Sequence, residues 1–241
     1  MRILHYKDWR LLVNDNLSDS QARDFFDSIQ SKNYKKHDTL KQHHRSNVTR
    51  ILYGGLDLVL KVPLEKNNRK WIRLLTLIRK GEAFKNLLGM HQLLSKGIKT
   101  TKPYLAAEKR VNGFVVDSWL TYEYVKGHNC LDMPEHYPKV VTTLKKMHNE
   151  NLLHGDPQIR NFIASEDDLY VIDSNPSSAS IPFDKAYEWA YLRRSCPEIE
   201  NHFGEIKDRW LYKFAVWYDL TERKLKEKKR NLLNTKIERL K

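Results

Sequence analysis

The sequence predicts an α+β fold in two lobes, with a small antiparallel, sheet-rich amino-terminal half and a helical carboxy-terminal half. Three observations carry that prediction. Before Glu123, apolar residues come in short β-branched and aromatic runs, punctuated by the turn-forming pairs Gly54-Gly55 and Asn112-Gly113. After Gly127 they recur at helical spacing. The chain has 241 residues, 40% of them hydrophobic with six Trp and twelve Tyr, enough for one sizeable domain or two lobes.

In chain order, Ile3 to Tyr6 and Trp9 to Val13 read as strands. A helix follows from Ser18 to Ser31, with Ser18 as its N-cap. Short strands lead to Pro63, with Gly54-Gly55 as a tight turn between two of them. Helices are expected from about Asn68 to Ser95, then two strands from Pro103 to Glu123 around Asn112-Gly113. Beyond Gly127 come a helix from Tyr137 to Asn149 and a hairpin from Phe162 to Asp173 turning at Glu166-Asp167-Asp168. Helices from Asp184 to Arg194 and from Glu205 to Leu240 complete the chain. The resulting division is 1–122 as N-lobe, 123–127 as hinge and 128–241 as C-lobe, with an active site expected between the lobes. No repeat or low-complexity linker interrupts it.

Cys130 and Cys196 are far apart and in no metal-ligand spacing, which suits free thiols in a reducing cytosol. Met1 to Lys7 lacks the apolar core of a signal peptide, and no run of eighteen apolar residues is present. The net charge of +13 is unevenly placed. Lys66 to Lys80 holds six Lys or Arg and no acid, interleaved with Trp71, Ile72, Leu74, Leu75, Leu77 and Ile78. Thr221 to Lys241 holds nine Lys or Arg against three Glu. Basic amphipathic segments of this kind can lie on an anionic bilayer, and the bland alternative is a helix that packs its Trp and Leu and solvates its charges.

The residues richest in chemistry are His154-Gly155-Asp156, with Asn161 five residues after the Asp and Asp173 seventeen after it, behind Val171-Ile172. Phosphoryl transfer from ATP needs a carboxylate to orient the attacking hydroxyl, and an amide and a second carboxylate to hold Mg²⁺. Asp156, Asn161 and Asp173 have the spacing of that set. Upstream, Lys61 interrupts the apolar run Leu58-Val59-Leu60-Lys61-Val62-Pro63, where a charge is costly unless it meets an anion. Glu82, twenty-one residues on and ahead of Phe84, Leu87 and Leu88, is the candidate carboxylate partner. Tyr122-Glu123-Tyr124-Val125-Lys126-Gly127 reads as a strand entering a hinge, where the backbone of Glu123 and Val125 would meet the adenine edge.

On these residues the chain resembles the protein-kinase-like superfamily and, within it, the lipopolysaccharide core heptose(II) kinases of the WaaY/RfaY family. The narrower likeness is carried by Leu105-Ala106-Ala107-Glu108-Lys109-Arg110, Tyr122 to Gly127, Cys130-Leu131-Asp132-Met133-Pro134, Leu144-Lys145-Lys146-Met147-His148, and Gly155-Asp156-Pro157 through Asn161-Phe162-Ile163. The resemblance implies transfer of the ATP γ-phosphate to a hydroxyl of the second heptose of the inner core. It implies Asp156 as base or orienter, Asn161 and Asp173 as Mg²⁺ ligands, and Lys61 on the α- and β-phosphates, paired with Glu82. His154 would brace the loop. The acceptor would be a phosphorylated inner-core glycolipid, met at the cytoplasmic face of the inner membrane by a peripherally attached enzyme.

Several positions depart from the protein-kinase pattern. Gly155 stands where those enzymes carry Arg, and the HGD form is similar to the aminoglycoside and choline kinases. Gln158 replaces a Lys that serves the γ-phosphate, so Arg160 is a candidate to supply that charge. Ser174-Asn175-Pro176 follows Asp173 in place of Phe-Gly, which argues against a protein substrate. The expected phosphate-covering loop, His43-His44-Arg45-Ser46-Asn47, has no glycine. Asp132, Glu135 and Asp184 are candidates for sugar hydroxyls or simply solvated acids. Other readings are a kinase acting on Kdo or an aminoglycoside, and a catalytically inactive membrane-bound scaffold. A nucleic-acid module would suit the charge and the His43 to Arg45 cluster, but acids among phosphodiesters would repel them, so no nucleic-acid partner is expected.

Overall fold

Two-residue turns and capped helices fix the local geometry of the amino-terminal half. In the computed structural model, described for all residues except 65–75, 78, 167 and 239–241, the chain separates into two compact units. One comprises Met1–Gly127 with Tyr170–Ile172, and the other His128–Leu169 with Asp173–Lys241.

The first unit is a seven-stranded antiparallel sheet. Its strands are β1 (Arg2–Tyr6), β2 (Trp9–Val13), β3 (Lys35–His43), β4 (Ser46–Tyr53), β5 (Leu56–Pro63), β6 (Pro103–Val111) and β7 (Phe114–Glu123), in the order β1-β2-β6-β7-β5-β4-β3. Gly54 and Gly55 both have positive φ, at 55° and 80°, which the two-residue turn between β4 and β5 requires. Helix α1 (Asp19–Gln30) starts at Ser18, whose hydroxyl accepts from the Gln21 amide while the Gln21 side chain accepts from the Ser18 amide.

Helices cover both faces of this sheet. Phe25, Phe26 and Ile29 of α1 pack on Leu11, Val13, Leu58, Leu60, Leu105 and Trp119. On the opposite face, Ala83, Phe84 and Leu87 of α2 (Glu82–Ser95) pack on Leu12, Ala106 and Leu120. Period-two alternation along β5 then decides where its lysine points. Leu58 and Leu60 face α1, so Val59 and Lys61 face the α2 side, and Lys61 pairs directly with Leu120 of the α2-facing cluster.

The strands flanking the His44-Arg45 turn are not short. β3 and β4 run nine and eight residues, and β3 is exposed along its whole length as the sheet edge. Register shifts between Lys36 and Asp38 and between Thr39 and Lys41 disrupt that edge, and its charges discourage pairing with another chain. The expected helix from Asn68 and most of the basic run from Lys66 to Lys80 lie outside the described residues. α2 itself begins only at Glu82.

Gly81, the N-cap of α2, shows why a small residue is needed there. A Cβ on it would sit 2.3 Å from Glu108 Oε1. Glu108 is fully buried and held by Arg110 at 3.2 Å, and burial raises its carboxyl above the usual range. Gly81→Ala is therefore expected to destabilise the fold by about 1–3 kcal/mol through overpacking, read as a lower urea midpoint at unchanged slope.

The second unit is mainly helical. Helices α3 (Tyr137–Asn149), α4 (Pro182–Ser195) and α5 (Trp210–Glu238) carry it, with short strands β8 (His128–Asn129), β9 (Leu152–Leu153), β10 (Phe162–Ser165) and β12 (Ser177–Ser178), while β11 (Asp168–Val171) starts in this unit and ends in the first. α3 has the bounds its sequence predicts. α5 starts later than the expected Glu205, because Gly204–Asp208 is a 3₁₀ turn and Arg209 is extended, resetting the chain before Trp210. Asp184 is a cap, not a free acid, since its carboxylate accepts from the Ser180 and Ile181 amides at the start of α4. Trp189, Phe203 and Tyr212 pack edge to face in the core between α4 and α5.

Candidate active site

The loop from His154 to Asn161 is built on backbone hydrogen bonds to buried side chains. The chain enters it from β9 and leaves it through a 3₁₀ turn, Ile159–Asn161, into β10. Within it, Asp156 is half-buried and both of its carboxylate oxygens are engaged. Gln158 Nε2 donates to Oδ1 at 2.8 Å, and Asn161 Nδ2 donates to Oδ2 at 3.3 Å and to the Asp156 carbonyl at 2.9 Å. These two donors fix the orientation of the carboxylate. Because the Asn161 amide nitrogen is spent on Asp156, its carbonyl oxygen is the group left for a cation.

His154 is a brace, as its sequence position suggests. It is fully buried, and its Nδ1 accepts the Asp156 amide at 3.3 Å, so its proton sits on Nε2. Burial pushes its imidazole below the usual range, against the pull of the Glu188, Asp156 and Asp173 charges. The unfolded chain takes up a proton here as pH falls through about 6.5, and the folded chain does not, so stability is lost on the acid side. The expected result is a lower urea midpoint at pH 5.5 than at 7.5, with the difference reduced in His154→Asn.

Asp173 follows β11 with φ 51°, a left-handed conformation rare for a residue other than glycine. The residues after it are tied to the loop, as Ser174 Oγ and the Asn175 amide both donate to the His154 carbonyl, at 2.8 and 3.1 Å. Gly155 has φ 86°, and a Cβ there would meet the Asn175 carbonyl at 3.0 Å, so the glycine permits this close approach. Asn161 and Asp173, the candidate cation ligands, are an amide and a carboxylate, oxygen donors of the kind Mg²⁺ takes together with waters and phosphates. Arg160 is exposed on the same loop.

Glu188 of α4 is the loop-holding residue the sequence did not reveal. Buried, it accepts the His154 amide at 2.9 Å, the Gly155 amide at 2.6 Å and His148 Nε2 at 2.9 Å. It therefore holds the backbone immediately before Asp156. The only local signal was a carboxylate beside Ala186, Trp189 and Ala190 on an otherwise buried face.

The other predicted residues lie in the first unit. Lys61 is half-buried on β5, on the α2 side of the sheet, and Glu82 opens α2. Glu123 ends β7, and its amide is committed to the Lys102 carbonyl at 2.9 Å. That removes one of the groups expected at an adenine edge, leaving the Glu123 carbonyl and the Val125 backbone as candidates. Arg50 pairs bidentately with Asp57 and lies 4.1 Å from the Tyr124 ring, fixing the start of this stretch. Val171, just before the metal-ligand candidate Asp173, is bonded by the Lys99 carbonyl and the Thr100 hydroxyl.

A lysine-bearing sheet strand with a helix behind it in one unit and an Asp-x₄-Asn loop in the other are the parts of a protein-kinase-like fold. The solved structure of WaaP in complex with acyl carrier protein shares this fold, with a TM-score of 0.57 and 16% identity over 90% of this chain and 98% of that one. The family described as lipopolysaccharide core biosynthesis protein (WaaY) matches residues 1–234, and the chain belongs to that family. It is 27% identical over 220 residues to the lipopolysaccharide core heptose(II) kinase WaaY of Escherichia coli, covering 87% of this chain and 90% of that protein. The protein of the same name from Escherichia coli strain K12 is 28% identical over 169 residues, covering 66% and 68%.

Proposed function

We infer that the chain is a lipopolysaccharide core heptose(II) kinase, transferring the γ-phosphate of ATP to a hydroxyl of the second heptose of the inner core. The observation that carries the chemistry is the Asp156 carboxylate, held on both oxygens by Gln158 and Asn161 beside the Asp173 segment. Family membership carries the acceptor.

In the proposed reaction Asp156 orients the acceptor hydroxyl and takes its proton as the sugar oxygen attacks the γ-phosphorus. The bond to the bridging β–γ oxygen breaks, and ADP leaves. Asn161 Oδ1 and the Asp173 carboxylate would hold Mg²⁺, which neutralises phosphate charge when bound. Lys61 is proposed to meet the α- and β-phosphates with Glu82 as its carboxylate partner, and the Glu123 carbonyl and the Val125 backbone the adenine. Arg160, exposed on the same loop, is proposed for the γ-phosphate.

Phosphate transfer from labelled ATP to heptose-bearing core lipopolysaccharide, with the product mapped by mass spectrometry, tests this reading. Incorporation on heptose supports it. No incorporation on an acceptor shown to carry the free hydroxyl would redirect the assignment to another sugar kinase.

The enzyme is proposed to work peripherally on the cytoplasmic face of the inner membrane, through the basic segments at Lys66 to Lys80 and Thr221 to Lys241. No described helix is long and apolar enough to cross a membrane. Each Lys or Arg near an anionic surface contributes about 1 kcal/mol. Sedimentation with anionic liposomes is expected at low salt and to weaken at high salt, and no binding at either salt would defeat the proposal.

A further inference from the structure

A row of aromatic rings begins beside the catalytic carboxylate and leads away from it along α4 and α5. Gln158 Nε2, which holds Asp156 Oδ1, also donates to the Tyr191 hydroxyl at 3.2 Å. Phe183, Tyr187 and Tyr191 are spaced four apart and share one face of α4. The Tyr187 ring lies 6.4 Å from Tyr191, 5.9 Å from Tyr218 of α5 and 6.0 Å from Phe183. Tyr187 and Tyr191 are half-buried, whereas Tyr218 is 42% exposed. These rings are therefore not enclosed in a core.

Charged groups border the row. The Arg194 guanidinium lies 3.6 Å from the Tyr191 ring and pairs with Asp219 at 2.7 Å. Lys226, paired with Glu222 at 2.6 Å, is close enough for its charge to bear on Tyr187. Burial raises the Tyr187 and Tyr191 hydroxyls above the usual range, so they remain protonated donors.

We propose that Tyr191, Tyr187 and Tyr218 form the platform on which the sugar chain of the acceptor lies, placing one of its hydroxyls at Asp156. The proposal rests on the heptose kinase reading and adds the acceptor subsite to it. Ring faces carry negative charge density that attracts the weakly positive C–H faces of a sugar. The phenol hydroxyls and the bordering ion pairs supply donors and acceptors for its hydroxyls. A purely lipid-inserting face would need no hydroxyl-tipped row ending at the catalytic carboxylate. The more distal exposed rings, Phe214 and Trp217, are not part of the platform.

The test uses the full chain and delipidated core oligosaccharide with the free heptose hydroxyl, without ATP, read by saturation-transfer NMR. The wild type is expected to bind, with Tyr187→Leu and Tyr218→Leu each weakening binding about tenfold, the loss of one ring contact. Tyr218, at the exposed end of the row, serves if Tyr187→Leu does not fold. Unchanged oligosaccharide affinity in both variants overturns the platform, and so does a loss confined to sedimentation with anionic vesicles, which would make the face a lipid contact. Absence of wild-type binding overturns it as well. Phosphate transfer by the wild type to the same oligosaccharide is read separately. Tyrosine-dependent binding without transfer supports the platform and counts against the kinase reading.

Discussion

Asp156→Asn is expected to lower kcat for phosphate transfer by about 10³-fold while changing the KM for ATP only a few-fold. The amide lacks the basicity to take the acceptor proton. It also presents an NH₂ to one of the two donors, Gln158 Nε2 or Asn161 Nδ2, that now face carboxylate oxygens. The half-buried position tolerates the change, so the folded state should persist and the loss should appear in turnover. Single-turnover kinetics with saturating acceptor separates the chemical step from binding. Turnover within tenfold of wild type would remove Asp156 from the proposed mechanism.

The second large effect is expected at Glu188, which does not face the acceptor. Its Oε1 accepts the Gly155 amide, and its Oε2 accepts both the His154 amide and His148 Nε2. Gln is nearly isosteric but has one acceptor oxygen. Turned one way it leaves the Gly155 amide without an acceptor, and turned the other way it abandons His154 and His148. A buried unpaired donor costs about 1–3 kcal/mol, and a loop displaced by about 1 Å can cost 10²-fold in rate. Glu188→Gln is therefore expected to lower both the urea midpoint and kcat, the latter by about 10²-fold. Glu188→Ala, which strips all three donors of their acceptor, should be worse. A Glu188→Gln enzyme with wild-type kcat would show that the loop keeps its geometry without this carboxylate.

The contrast between these residues shows what can be read from a chain. Asp156 and Asn161 lie five apart in one loop, so their spacing alone brings them together, and the observed contact is local. The helix capped by Ser18, the Gly54-Gly55 turn and the bounds of α3 are local in the same sense, set by capping, positive φ and apolar periodicity. Lys61 stood out because a charge broke an apolar run. Its orientation toward the α2 side, however, follows only from the register with Leu120, fifty-nine residues away.

Glu188 marks the limit, because its partners are 33 to 40 residues upstream and no short-range pattern distinguishes it from a solvated helix acid. The aromatic row has the same character. Phe183, Tyr187 and Tyr191 share a face by helical spacing, but Tyr218 joins them only where α5 packs on α4. Helical composition extends back to Glu205, but α5 starts only at Trp210, because a 3₁₀ turn has nearly the same composition as a helix and the extended Arg209 that separates the two has no sequence signal.

The sequence by itself determined the α+β class, the Ser18 cap, the Gly54-Gly55 turn, the bounds of α3 and the contact between Asp156 and Asn161, since these depend on neighbours within a few residues. The tertiary structure alone decided the strand order, the side of the sheet on which Lys61 lies, and the buried carboxylate that holds the loop. Those depend on pairings and burial between distant segments, where the energy lies in desolvated hydrogen bonds and packed faces that no local pattern records.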